Sequence, residues 1–175
     1  MPYLQASQAL ETLYSAEQRK SQFASAAAVP ILLNPPASSP HLSNLKSLHI
    51  YYQPSLESLR QLGTGWSHLV ELSILYSSLA DLSGLSSFSS LECLFLGYNC
   101  VETLSELMFH PRLRCLDLEG NMVRDIQELE YLSTIELLEW VELEGNPVME
   151  GQGRQQVADK IGAKLHLEDR TVGQY

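Results

Sequence analysis

Between Leu45 and Val148 the chain repeats one arrangement of apolar and polar positions five times. Aligned on Leu-x-x-Leu-x-Leu, with small variations, it reads "LKSLHI" from Leu45, "LVELSI" from Leu69, "LECLFL" from Leu91, "LRCLDL" from Leu113 and "LEWVEL" from Leu138, at spacings of 24, 22, 22 and 25. In each unit the fourth and sixth residues are apolar and alternate with polar or aromatic ones, the period-two pattern of a short strand with one buried face. Behind each strand the leucines recur every third residue, at Leu56, Leu59 and Leu62, then Leu79, Leu82 and Leu85, then Leu104 and Leu107. Side chains three apart eclipse in a 3₁₀ turn, so this spacing predicts a slim convex side of 3₁₀ turns. The fourth unit departs from it: "DIQELEYL" offers Asp125 as N-cap, Glu128 three residues on, and Ile126, Leu129 and Leu132 facing inward, which predicts a turn or two of α-helix.

Spacings in the twenties with this consensus are those of a leucine-rich repeat. The predicted fold is an α/β solenoid: a short curved parallel sheet of about five repeats, a 3₁₀ or helical convex side and a C-terminal cap. Asn99, Asn121 and Asn146 hold the ninth position, where an amide bonds backbone groups of its own and neighbouring units. Gln53 and Ser77 replace it in the first two units, so the ladder is partial. An open-ended solenoid needs its terminal units covered. Residues 153–165 place Val157, Ile161 and Leu165 on one helical stripe, as a cap requires, and "HLEDRTVGQY" reads as a tail. At the other end, residues 5–28 carry Leu10, Leu13 and Tyr14 at helical spacing. Pro30, Pro35, Pro36 and Pro40 then impose a linker; the helix either packs on the first repeat, whose open edge Ile31, Leu32 and Leu33 could cover, or awaits a partner. The division expected is 1–44 as N-terminal helix, Pro/Ser-rich linker and flank, 45–148 as five repeats, and 149–175 as cap and tail.

Composition narrows the function classes. Hydrophobic residues make up 45% of the chain, enough for a core. No apolar run is long enough for a membrane span, and the N-terminus lacks the pattern of a secretion signal. Cys93, Cys100 and Cys115 are odd in number and lack CxxC spacing, which fits free thiols in a reducing, cytoplasmic setting. Of the net charge of −10, residues 113–148 supply −7, with nine acids against two bases. A field of that sign repels nucleic acid and anionic lipid and attracts basic protein partners.

Strand alternation assigns the candidate site. The third, fifth, seventh and eighth positions of each unit should project from the concave side. The first three units then show Tyr51, Tyr52, Leu75, Tyr76, Phe95 and Tyr98, and the last two show Asp117, Glu119, Glu142 and Glu144 beside Trp140. Aromatic side chains supply large rigid contact area, and acids beside them select Lys or Arg in a partner. The expected ligand is therefore a protein segment with apolar and basic residues. The paired acids sit near the separation that glycosidases use, but four like carboxyls on an open face lack the difference in environment that acid–base catalysis needs. No enzyme activity, cofactor or metal is expected: EF-hand, HExxH, GxSxG and nucleotide-loop patterns are all missing.

The 22-residue units and the terminal "GRQQVADKIGAKLHLED" resemble the phosphatase-regulator-like class of leucine-rich repeats, with Gly153 standing where that cap usually has an aromatic residue and Gly162 where it often has proline. Within residues 60–148, "RQLGTGWSHLVEL", "LADLSGLSSFSSLECLFLGYN", "LRCLDLEGNMVRDIQELEYL" and "VELEGNPV" are similar to the leucine-rich-repeat-containing protein 56 family. Its less general letters here are Gly63, Thr64, Asp81, Gly84, Tyr98 and the doubled Leu-Glu-Gly-Asn. That resemblance implies a cilium or flagellum and a non-enzymatic adaptor or assembly factor for intraflagellar transport and outer dynein arms. The alternative is a regulatory subunit that docks an enzyme such as a protein phosphatase on its concave face.

Overall fold

A computed structural model describes residues 45–151, 153–162 and 165–166. The expected N-terminal helix, the linker, the cover by Ile31, Leu32 and Leu33, and the tail from residue 167 lie outside the described residues. Strands form where the alternation places them: β1 Ser47–Tyr51, β2 Glu71–Leu75, β3 Cys93–Phe95, β4 Cys115–Asp117 and β5 Trp140–Glu142. They pair in parallel in chain order, each third position opposite the next: Ser47 with Glu71, Glu71 with Cys93, Cys93 with Cys115, Cys115 with Trp140. A sixth strand, β6 Leu165–His166, joins β5 beyond the last repeat.

The fourth and sixth positions, Leu48 and Ile50 through Val141 and Leu143, are buried in one continuous core. Burying each aliphatic side chain stabilises the fold by about 1.5–3 kcal/mol, and this is what aligns the units. Return segments are 3₁₀ turns at Leu59–Leu62, Leu85–Ser87, Ser105–Phe109 and Pro147–Met149. In the fourth unit a 3₁₀ turn, Ile126–Glu128, runs into the short helix α1, Leu129–Ser133. Asp125 caps it by accepting from the Gln127 amide. Glu128 does not return to Asp125: its carboxylate accepts the Leu104 amide at 2.7 Å and ties the fourth return to the third.

The asparagines stitch the strand ends together. Asn121 Nδ2 donates to the carbonyls of Leu96, Leu118 and Glu119, and its Oδ1 accepts from the Val101 amide. Asn99 and Asn146 repeat the pattern one unit to either side. Ser77 does a reduced version, accepting from the Gln53 amide and donating to the Leu75 carbonyl.

At the C-terminal end helix α2, Gly153–Ile161, buries Val157 and Ile161 against the last unit. The helix stops four residues short of Leu165, which falls in β6 instead of on the expected stripe. Both departures from the class pattern have a local cause. A Cβ on Gly153 would stand 2.0 Å from the Val148 carbonyl oxygen, so no aromatic residue fits there. Gly162 has φ +52°, a left-handed helix stop that proline cannot adopt.

Candidate functional site

Each strand ends in a turn whose eighth-position residue has positive φ: Tyr52 at 54°, Tyr76 at 51°, Tyr98 at 57°, Gly120 at 63° and Gly145 at 74°. Glycine takes this conformation freely, whereas an L-residue does so at a cost of roughly 1–2 kcal/mol. The three tyrosines stack. Ring centroids are 5.3 Å apart for Tyr52 and Tyr76 and 4.6 Å for Tyr76 and Tyr98, with interplanar angles of 13° and 6°. The Tyr98 ring continues over Gly120, where a Cβ would meet it at 2.7 Å, and its hydroxyl donates to Glu119 Oε1 at 2.5 Å. Tyr52 remains 50% exposed and Tyr98 37%, while Tyr76 and the neighbouring Tyr51 and Leu75 are half-buried.

The floor of the face differs from expectation. Phe95 and Trp140 are buried, at 1% and 6% exposure, in a cluster with Cys115 against which Leu75 and Cys93 pack. Alternation gives the side of the sheet a residue occupies, but neighbouring strands only about 4.8 Å apart press large side chains of one side against each other. Cys93 and Cys115 are free thiols that share a hydrogen bond; this bond first, then burial, raises Cys93 far above the ordinary thiol range, and the same bond lowers Cys115.

The acids are not an open, shallow row either. Asp117 and Glu142 are each 6% exposed and Glu119 9%. Asp117 Oδ1 accepts the Glu119 amide, and Glu142 Oε1 accepts the amides of Leu143 and Glu144 at 2.9 and 2.7 Å. Glu142 Oε2 is buried without a hydrogen-bond partner. Burial first, then the charges of Asp117 and Glu119, push the Glu142 carboxyl up to about 7. The difference between carboxyls that the sequence pattern did not offer is therefore present. A glycosidase also needs a cleft with a carboxyl on each side of an extended substrate, and these side chains form a floor within one sheet. Glu144 is already engaged: Arg154 of α2 grips both its oxygens at 2.7 and 2.6 Å.

Several letters of the resemblance acquire roles here. Asp81 accepts from the Ser83 amide and the Ser58 hydroxyl, and a side chain on Gly84 would strike the Arg60 backbone at 2.8 Å. Among the described residues no group of three or more His, Cys, Asp or Glu is placed to hold a metal ion. No described helix is long and apolar enough to cross a membrane.

No family model matches the chain. Over 135 residues, 76% of its length, the chain is 42% identical to leucine-rich repeat-containing protein 56 of Mus musculus, of which it spans 19%. Among solved structures, it resembles a chain of the Drosophila melanogaster SNF/U2A' complex with a TM-score of 0.54 and 25% identity, over 73% of this chain and 74% of that one. A leucine-rich-repeat protein of Leptospira interrogans shares the fold, with a TM-score of 0.54 and 19% identity over 72% of this chain and 38% of that one. None of these three is described as an enzyme.

Proposed function

The chain belongs to the leucine-rich-repeat proteins, and we propose that it is a protein-interaction scaffold acting as an adaptor or assembly factor for intraflagellar transport and outer dynein arms. The finer role rests on its likeness to leucine-rich repeat-containing protein 56, a family associated with cilia and flagella. The docking role rests on one observation above the others: three consecutive units keep a tyrosine where the backbone favours glycine, and their rings form one stacked, part-exposed array. Strain held at a surface in three successive units points to a binding use. In this reading Tyr52, Tyr76 and Tyr98, flanked by Tyr51 and Leu75, meet the apolar part of a partner. Asp117, Glu119 and Glu142 attract its basic part. Phe95 and Trp140 support the floor, and Glu144 serves the cap. A neighbour of the same fold comes from the SNF/U2A' complex, which fits a role in holding another protein.

Affinity capture with the full chain from ciliated and deciliated cells tests the assignment. Enrichment of transport or dynein components only from ciliated cells is the expected result; a phosphatase catalytic subunit in both would replace it with the regulatory-subunit reading. Tyr76→Ala with Tyr98→Ala should lower capture of the specific partner at least about tenfold, the loss of one or two aromatic anchors. Unchanged capture would remove the face from the mechanism.

A further inference from the structure

Two of the three cysteines hold the same position in successive repeats. Cys93 and Cys115 are 22 residues apart in the chain and are register partners on β3 and β4, both on the concave side. Their thiols share a hydrogen bond, so the two side chains point at each other. Cys115 is buried with Phe95 and Trp140, whereas Cys93 packs against that cluster and keeps part of its surface exposed. Paired strands run about 4.8 Å apart, inside the Cα separation of about 4.4–6.8 Å that a disulfide spans. Parallel side chains leave their strands at about that same spacing, which is wider than the Cβ separation of about 3.8 Å in a disulfide. Closure therefore draws β3 and β4 together and leaves the new bond strained and easily reduced.

The charges around the pair work mostly against a thiolate. Glu71 and Glu92 oppose one on Cys93, and Glu139 and Glu71 oppose one on Cys115, where Arg114 favours it. The shared hydrogen bond outweighs them at both residues, so the pair can lose one proton and hold the other between its sulfurs. We propose that Cys93 and Cys115 form a modification site, a thiol pair that hydrogen peroxide closes to a reversible disulfide across β3 and β4. The oxidant, a molecule little larger than water, arrives at the part-exposed Cys93. Cys93 Sγ attacks one peroxide oxygen as its proton passes to the Cys115 thiolate; the O–O bond breaks, which leaves a sulfenic acid on Cys93 and releases hydroxide. Cys115 Sγ then attacks the sulfenic sulfur, the S–O bond breaks, and the hydroxyl leaves with the Cys115 proton as water. Two electrons pass from the thiols to peroxide, and a dithiol reductant returns them and reopens the pair. Such transient disulfides are the kind that a reducing compartment tolerates. The bond lies where the tyrosine units meet the acidic units, so oxidation joins the two halves of the face.

The test adds hydrogen peroxide in slight excess to the full folded chain and then alkylates the remaining thiols in denaturant. Cys100, exposed beyond the turn that follows β3, lies outside the pair and is the internal comparison. Peptide mass spectra taken without reductant should show Cys93 joined to Cys115, about 2 Da lighter than the two reduced peptides together, with Cys100 still alkylated. Dithiothreitol should restore all three thiols. The folded chain should close the pair at least about tenfold faster than the chain in urea, since the fold supplies the register. Cys115→Ala should slow oxidation of Cys93 about tenfold, since the thiol that takes its proton is gone. Oxidation of Cys100 ahead of the pair, a sulfinic acid on Cys93 in place of the bond, or equal rates of closure with and without urea would each overturn the inference. The comparison in urea uses the parent chain alone, so it decides the matter even where Cys115→Ala disturbs folding.

Discussion

Tyr76 is the middle of the tyrosine ladder, and its backbone gives a direct check on whether the strain is real. At φ +51°, glycine should be favoured over alanine by about 1 kcal/mol, so Tyr76→Gly is expected to unfold at higher urea than Tyr76→Ala. The reverse order would mean that the left-handed turn is not kept. The clue was legible: one column of the repeat reads Tyr, Tyr, Tyr, Gly, Gly, and glycine alternating with a bulky residue at one position marks positive φ. The burial of Phe95 and Trp140 was not legible, because it depends on lateral contact between strands that sequence spacing does not encode. Nor was Glu142, whose proton affinity comes first from burial and then from the charges of Asp117 and Glu119 on the preceding repeat. Its carboxyl, near 4.5 in the unfolded chain, is raised to about 7 in the fold, so the native state holds the extra proton. Its penalty is absent below about pH 4.5, grows as pH rises from there to about 7, and is on the order of 3 kcal/mol above that. His110 has the opposite sign, since burial lowers it and stability falls as pH drops below its ordinary value. Glu142→Gln should therefore change stability by less than about 1 kcal/mol at pH 5 and raise it by about 3 kcal/mol at pH 8, measured by denaturant titration. An equal difference at both values would dismiss the proton.

At the scale of elements, the leucine spacing and the asparagines carried most of the architecture, because each acts through contacts that recur with the repeat. Asn121 makes four bonds to backbone groups, and Asn121→Ala leaves the Val101 amide buried without its acceptor while the Leu96, Leu118 and Glu119 carbonyls each lose one of two donors. A loss of about 2–4 kcal/mol is expected, seen as a lower urea midpoint. Ser77→Ala, in a part-buried turn with two such bonds, should cost nearer 1 kcal/mol; equal losses would deny the ladder its graded role. Glu128 shows where a local signature misleads. Three residues after Asp125 it has the spacing of a capping box, yet a neighbouring unit offers Leu104 with a free amide, and the tertiary partner wins. Such outcomes are invisible to any window shorter than one repeat.

For the whole molecule, stacking makes stability nearly a sum of units and their interfaces, so damage at one end should stay there. The C-terminal end is held by Val157 and Ile161 beneath α2, by Arg154 on Glu144 and by Lys160 on Glu130. It is also where the negative charge gathers, so the cap joins the acidic half of the face to its own support. Val157→Ala removes two buried methyl groups, a loss of about 2 kcal/mol, or roughly 30-fold in a local opening equilibrium. Hydrogen exchange should report it unevenly. The Trp140 amide, bonded to the Arg114 carbonyl, is expected to exchange about 30 times faster, while the Glu71 amide, bonded to Lys46 three strands away, changes little. Equal acceleration at both would mean that the six strands open as one unit. In that case the cap supports the tyrosine end of the face as much as the acidic end, and a weakened cap would impair both halves of partner docking together.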